Sequence, residues 1–474
     1  MAVDINTNQV WIKHRNYILL AVGIGTFMSA LDGSVANTIL PIIRQDFNST
    51  VSAVEWAVIV YLVVVSGLLL SFGRLGDLIG HKPIYLAGYG LFVSGSILCG
   101  LAQNPTILSV FRGLQAIGGA MLMSNSPAIL TQTFPPQQRG RVLGLQGTMT
   151  YLGLMTGPAL GGFLAQVFSW RLVFFINVPV GLAGLTLSAL FISSIRSDIQ
   201  KERFDIPGSL LFLFGLSTLM LALNEGSSWG WLSLLTISLL AVSIAGMIGF
   251  VYLELRTVEP MLDMSLFKDR LFSSGAGAAV LNYMAMYSIT FLLPFYLIQG
   301  RGFSPAAAGL ILTAQPLMMA IITPISGTLS DKIGTRLPAT LGMAILAIGT
   351  FMLAWINGNS SSFYLAVSLA IVGIGVGMFV SPNNSAIMGS APRRRQGIAA
   401  GVLATARNVG MVLGVGLSGA VLTTLTSSSD PSLSLVDSQL IFNAMHAGFL
   451  LATGIAVVGI VFSASRGKPA PVSI

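Results

Sequence analysis

Apolar residues in this chain run in long blocks, and the short segments between them carry nearly all of the charge. Blocks of about twenty apolar residues predict membrane-spanning helices. They fall at 17–40, 53–73, 84–102, 106–128, 141–165, 172–193, 207–223, 231–253, 272–297, 305–327, 337–356, 362–385, 398–422 and 442–463, which makes fourteen spans. The block at 207–223 is the shortest and stops before Asn224-Glu225. No short apolar region with a small-residue cleavage site precedes the first span, so no cleaved signal peptide is expected.

Composition agrees with a membrane protein. The 474 residues are 54% hydrophobic and 8% charged, with a mean hydropathy of +0.82, whereas soluble domains are about 25% charged. A net charge of +8 and a pI near 9.8 could suit nucleic acid, but the basic residues are scattered, so no nucleic-acid partner is expected. The single Cys99 excludes an internal disulfide framework and reads as a packing residue. Of 24 Lys and Arg, nineteen fall on the side that holds both termini; Arg44, Arg171 and Arg301 fall on the other. The positive-inside rule then places both termini in the cytoplasm. It also accounts for Arg393-Arg394-Arg395 without a headgroup site. Arg112 and Arg407 remain, both inside spans.

Asp32, in "LDGSVANTILP", is the carboxylate assigned to the membrane interior. With the first span leaving the membrane near Pro41 and the fourth entering near Asn104-Pro105, Asp32 and Arg112 both lie about 10–14 Å below one face. A lone acid in hydrocarbon tends to stay protonated, and a nearby guanidinium favours its ionised form. Two roles suit such a pair: a static ion pair that fixes packing, or an acid poised to take and lose a proton. The matched depth favours the second.

Two internal repeats follow. "GRLGDLIGHKP" (Gly73 to Pro83) and "GTLSDKIGTR" (Gly327 to Arg336) place Gly, Asp, Gly and a base at equal offsets, both on the side of the termini. They divide the chain into two six-helix halves with two inserted helices. Their glycines permit tight turns, and Asp77 and Asp331 could accept from a helix N-terminus. In the fifth span Gly153, Gly157 and Gly161 fall on one helical face, with Pro158 interrupting the hydrogen bonding. The thirteenth span repeats the spacing with Gly410, Gly414 and Ser418 but has Val415 in place of the proline.

These motifs, with "RGLQAIGGA" from Arg112 and "WRLVFFINVPVG" from Trp170, resemble the major facilitator superfamily, in its fourteen-helix drug:proton antiporter branch. The resemblance covers about the whole chain. It implies an all-α integral membrane fold of two six-helix bundles, residues 1–196 and 263–474, joined by two inserted helices within 197–262. It also implies a multi-pass protein of the bacterial inner membrane that exports small amphipathic or lipophilic compounds in exchange for protons, as in multidrug efflux and antibiotic resistance. A proton symporter, or an exporter of one metabolite or lipid, is the alternative. By the same resemblance Asp32 and Arg112 serve proton coupling. Gly73, Asp77, Gly80, His81, Lys82 and Asp331 serve closure of the inner face, and Gly153, Gly157, Pro158 and Gly161 an antiporter-type interface.

His81 departs from the pattern, standing where the loop usually has Arg, which makes that contact pH-dependent. Asn37, Gln115, Gln146, Tyr151, Asn282, Tyr283, Gln315 and Arg407 are the polar residues expected to line the cavity. With Asp32 ionised, Arg112 and Arg407 leave the interior at a formal +1, which argues against a dication site. Three histidines and no paired interior carboxylates argue against a membrane enzyme or a metal, and no phosphate loop is present. No cofactor is expected. The expected partners are protons, an amphipathic substrate and lipid, and the expected state is a monomer.

Overall fold

The computed structural model describes residues 5–134, 139–192, 206–257, 264–390, 396–426 and 438–466. The domain boundaries expected near 196 and 262, and Arg393 to Arg395, lie outside them. Helices α1 (Ile5–Asp46), α2 (Val51–Ile79), α3 (His81–Gly100), α4 (Pro105–Thr133), α5 (Arg139–Val167), α6 (Leu172–Phe175) and α7 (Asn177–Phe191) pack as one group. A second group holds α10 (Arg270–Phe295), α11 (Pro305–Leu312), α12 (Ala314–Ile333), α13 (Arg336–Ala354), α14 (Ser362–Ser390), α15 (Gln396–Thr426) and α16 (Ser438–Ala464). Between them in sequence, α8 (Ile206–Trp229) and α9 (Leu234–Arg256) form a pair. α6 and α7 together make one rod, as do α11 and α12, so the chain forms fourteen rods.

Thirteen of these are long and apolar enough to cross a membrane by length and composition. The fourteenth, α5, is the exception because Gly, Thr and Gln dilute it; it is nonetheless a 29-residue helix lying along α1. Several helices outrun their predicted spans, α1 and α8 among them. α1 continues through Pro41 to Asp46, and α8 continues through Asn224-Glu225 to Trp229 because both polar residues find partners on α2. Asp32 therefore lies about 21 Å from the end of α1, which runs past the membrane edge expected near Pro41.

Helix ends away from the termini are closed by side chains. Thr50 caps α2, Asn104 caps α4 with Pro105 at its first turn, Ser233 caps α9 and Ser304 caps α11 ahead of Pro305. Each cap takes up an amide that has no helical partner and lies near hydrocarbon. At the end that holds the termini, the paired loops turn through Gly80 (φ 99°) and Gly334 (φ 83°), a left-handed region that a side chain would strain. Outward faces are apolar: Ile244, Ile248 and Leu255 of α9 are all exposed, as a lipid-facing surface requires.

Candidate functional site

Asp32 and Arg112 meet. Arg112 Nη1 lies 2.5 Å from Asp32 Oδ2, and both side chains are 1% exposed. The guanidinium also donates to Gln115 Oε1 (2.6 Å) and to the Ala57 carbonyl of α2 (3.1 Å), and it stands 4.2 Å from the Tyr61 ring centroid. Asp32 Oδ1 accepts from Gln115 Nε2 and Asn177 Nδ2, each at 2.9 Å, and Ser96 accepts from both amides. Asn177 reaches inward because the rod breaks at Ile176, and α7 restarts from there with Pro179, which has no N–H to give. Asp32 accepts three hydrogen bonds and Arg112 donates three, and such bonds are what a charge taken out of water needs.

Beside this network lies a narrow cleft of about 40 Å³ between the two helix groups, lined by Ser34, Leu154, Pro158, Tyr287, Gln315 and Met319 among others. Pro158 cannot bond to the Leu154 carbonyl one turn back. Ser34 Oγ of α1 donates to that oxygen instead, at 3.0 Å. The hydrogen bonds described between the two groups cluster at the end away from the termini: Arg44 Nη1 to Gln299 Oε1 (2.6 Å) and the Ala306 amide to Gln166 Oε1 (3.1 Å). There α5 and α11 touch backbone to backbone, Gly309 against the Pro158 carbonyl and Gly162 against that of Pro305.

Two bundles with matching glycine turns, a buried acid-base pair in one and a cleft between them describe a transporter. Residues 22–267 and 275–473 match the family described as the Major Facilitator Superfamily. The chain belongs to that superfamily. The riboflavin transporter RibZ of Clostridioides difficile (strain 630) is 37% identical over 406 residues, which are 85% of this chain and 87% of that one. Multidrug resistance protein Stp of Mycobacterium tuberculosis (strain CDC 1551 / Oshkosh) is 33% identical over 417 residues, 88% and 77% of the two chains. The crystal structure of a bacterial homologue of the human lysosomal transporter Spinster, inward-facing and unoccupied, has the same fold (TM-score 0.68, 16% identity, covering 96% and 99%).

In this facilitator-family transporter the residues expected at the cavity separate into three groups. Gln315 lines the cleft, and Tyr151 and Tyr283 lie within reach of the Arg407 charge. Gln115 is fully buried in the Asp32 network instead. Asn37 bonds to its own helix at the Gly33 carbonyl, Gln146 reaches Thr26 (3.4 Å), and Asn282 Nδ2 faces Met343 Sδ of α13. Of the residues assigned to gating, His81 Nδ1 pairs with Asn125 Oδ1 of α4 (2.7 Å), and Lys82 Nζ caps the carbonyl of Ala189 in the last turn of α7 (2.9 Å). Gly73 faces Ser124 of α4. The side chains of Asp77 and Asp331 lie outside the described residues. Gly153, Gly157 and Gly161 lie against α1, at Phe27, Ser34 and Val35, within their own bundle.

Three partners of the ion pair escaped sequence reading: Ser96, Asn177 and Tyr61. Asn177 stands inside "WRLVFFINVPVG", but only the break at Ile176 turns it toward Asp32. One expectation is corrected. Asp32 is not the lone interior carboxylate, because Glu55 of α2 is fully buried, neither of its oxygens has a hydrogen-bond partner, and it rests against Gly419 of α15. The interior count of +1 therefore assumes that Glu55 carries its proton.

Proposed function

We propose that this transporter is a proton-coupled antiporter that exports small amphipathic compounds by alternating access. The observation that carries the proposal is the Asp32–Arg112 pair, sealed by Gln115 and Asn177 beside the cleft. An acid held so tightly can exchange its proton only when that network opens, and opening the cleft is what substrate entry requires. Relatives named for multidrug resistance and for tetracenomycin C resistance and export support outward movement of amphipathic cargo. In this reading both termini lie in the cytoplasm of a bacterial cell, residues 1–196 and 263–474 rock as two halves, and the contacts of Arg44, Gln166 and Gly309 are those of a closed outer face. Asp77, His81 and Lys82 form the inner latch.

The test uses protein reconstituted in vesicles. Asp32→Asn keeps size and polarity but cannot ionise. It should insert normally, lose substrate movement driven by a pH difference, and retain exchange of substrate for substrate. Concentrative export by Asp32→Asn would defeat the coupling role. The 37% identity to a riboflavin transporter supports a second reading, carriage of a single flavin-like metabolite. Transport of riboflavin by vesicles that leave amphipathic drugs untransported would favour it.

A further inference from the structure

Arg407 sits in α15 about 16 Å from the helix start at Gln396. Its Nε is buried and has no hydrogen-bond partner. Among the described residues no carboxylate pairs with it; the described ion pairs are Arg112 with Asp32 and Arg171 with Asp46. Glu55 touches the same helix only at Gly419, ~18 Å farther along, and Asp32 is fully engaged. One turn along α15, Gly410 rests against Tyr283 of α10, which brings the phenols of that helix toward the guanidinium. Its charge reaches Tyr283 and Tyr287 of α10 and, across the gap between the bundles, Tyr151 of α5. Tyr287 lines the cleft with Pro158 and Gln315. Tyr287 thus links the cleft to a cation that no described carboxylate pairs with.

We propose that Arg407, with Tyr151, Tyr283 and Tyr287, is the charge-reading end of the central site, and that its ligand is an aromatic compound bearing an anionic group. A guanidinium in a closing, water-poor cleft is costly until a counter-charge arrives, and the planar fork matches a carboxylate in two parallel bonds. The tyrosines add flat apolar area and O–H donors for the same ligand. A cationic drug would meet like charge here and be rejected by the same group. The proposal rests on the cleft being the transport path. It is tested by binding without a gradient, so that its failure is separable from failure of proton coupling, which shows in vesicles.

Fluorescein and rhodamine 123 share one three-ring frame and carry opposite charge at pH 8. Fluorescence anisotropy with the purified full chain should show fluorescein binding about tenfold or more tighter than rhodamine 123. Arg407→Gln should weaken fluorescein by about tenfold or more and leave rhodamine 123 unchanged or tighter, while Arg407→Lys recovers part of the loss. Melting curves of each variant guard against misfolding, and the two-dye comparison in the wild type stands without any variant. Equal fluorescein affinity in wild type and Arg407→Gln, tighter rhodamine 123 in the wild type, or binding of neither dye would each overturn the assignment.

Discussion

The two bundles share a backbone plan and differ in what they bury. Gly153 rests against the Phe27 carbonyl and Gly410 against that of Val280; Gly95 rests on the backbone of Gln115 and Gly349 on that of Val372. Counting along each helix from these contacts sets Asp32 opposite Ala285, Arg112 opposite Leu369, Gln115 opposite Val372 and Ser96 opposite Thr350. The first bundle thus carries a charged network where the second is packed with apolar side chains, all fully buried at Ala285, Leu369 and Val372. What survives in the second is a hydroxyl pair, Thr453 to Thr350 at 3.0 Å. The difference teaches that packing alone does not need the charges. An apolar version of the same junction exists in the same molecule.

That comparison can be broken most forcefully at Arg112. Arg112→Leu alone strands Asp32 and should cost about 3–5 kcal/mol, read as a lower melting temperature in detergent. The combined Asp32→Ala, Arg112→Leu, Gln115→Val variant copies the second bundle. It should melt at or above the wild type while losing coupled transport, and a combined variant less stable than Arg112→Leu would show that the bundles are not interchangeable. Next comes the proline. Pro158 stands opposite Val415, and Ser34, which serves the freed Leu154 carbonyl, stands opposite Tyr287. Val415→Pro should therefore cost ~3 kcal/mol, with no hydroxyl placed to take up the freed carbonyl; an unchanged unfolding midpoint would contradict this.

Ser34→Ala should have a smaller effect, about 1–3 kcal/mol, because it leaves the buried Leu154 oxygen without a donor. Pro158→Ala made in the same background should make the loss unnecessary. The smallest contrast is at the paired loops. His81→Ala removes the bond to Asn125 and should cost about 1 kcal/mol. Thr335→Ala, at the matching position where the side chain makes no capping bond, should stay within about 0.5 kcal/mol of the wild type. Equal effects at the two sites would remove the asymmetry.

Fourteen rods, the paired loops and the Asp32–Arg112 contact were legible in the sequence, because hydropathy and depth are properties of each helix alone. The partners of that pair were not. Whether Asn177 points at Asp32 or at lipid depends on the break at Ile176, and the surroundings of Arg407 depend on Tyr151 arriving from the other bundle. Glu55 was overlooked because it sits in the first turn of α2, where sequence cannot say what covers a helix end. The covering comes from α8 and α15. The same gap explains why α8 was cut short: Asn224 and Glu225 look like an exit from the membrane until Ser52 and Trp56 are set beside them.

The placement of α8 makes the two flanks of the molecule unequal. α8 lies along the seam between α2 and α15, from Ser71 with Ser209 (2.7 Å) at one end to Ser52 with Asn224 at the other, and its Leu213 and Met220 press on Gly67 and Gly416. On the far side of the molecule the seam of α5 with α11 and α12 has no third helix over it among the described residues, and Phe163, Leu310 and Ile321 are exposed there. One flank is covered by a third helix, and the other is closed only by the two groups themselves, where α5 and α11 meet backbone to backbone. A bulky label beside Ile321 would therefore stand directly over the seam between the two groups, whereas an identical one on α9 would stand a helix away from it.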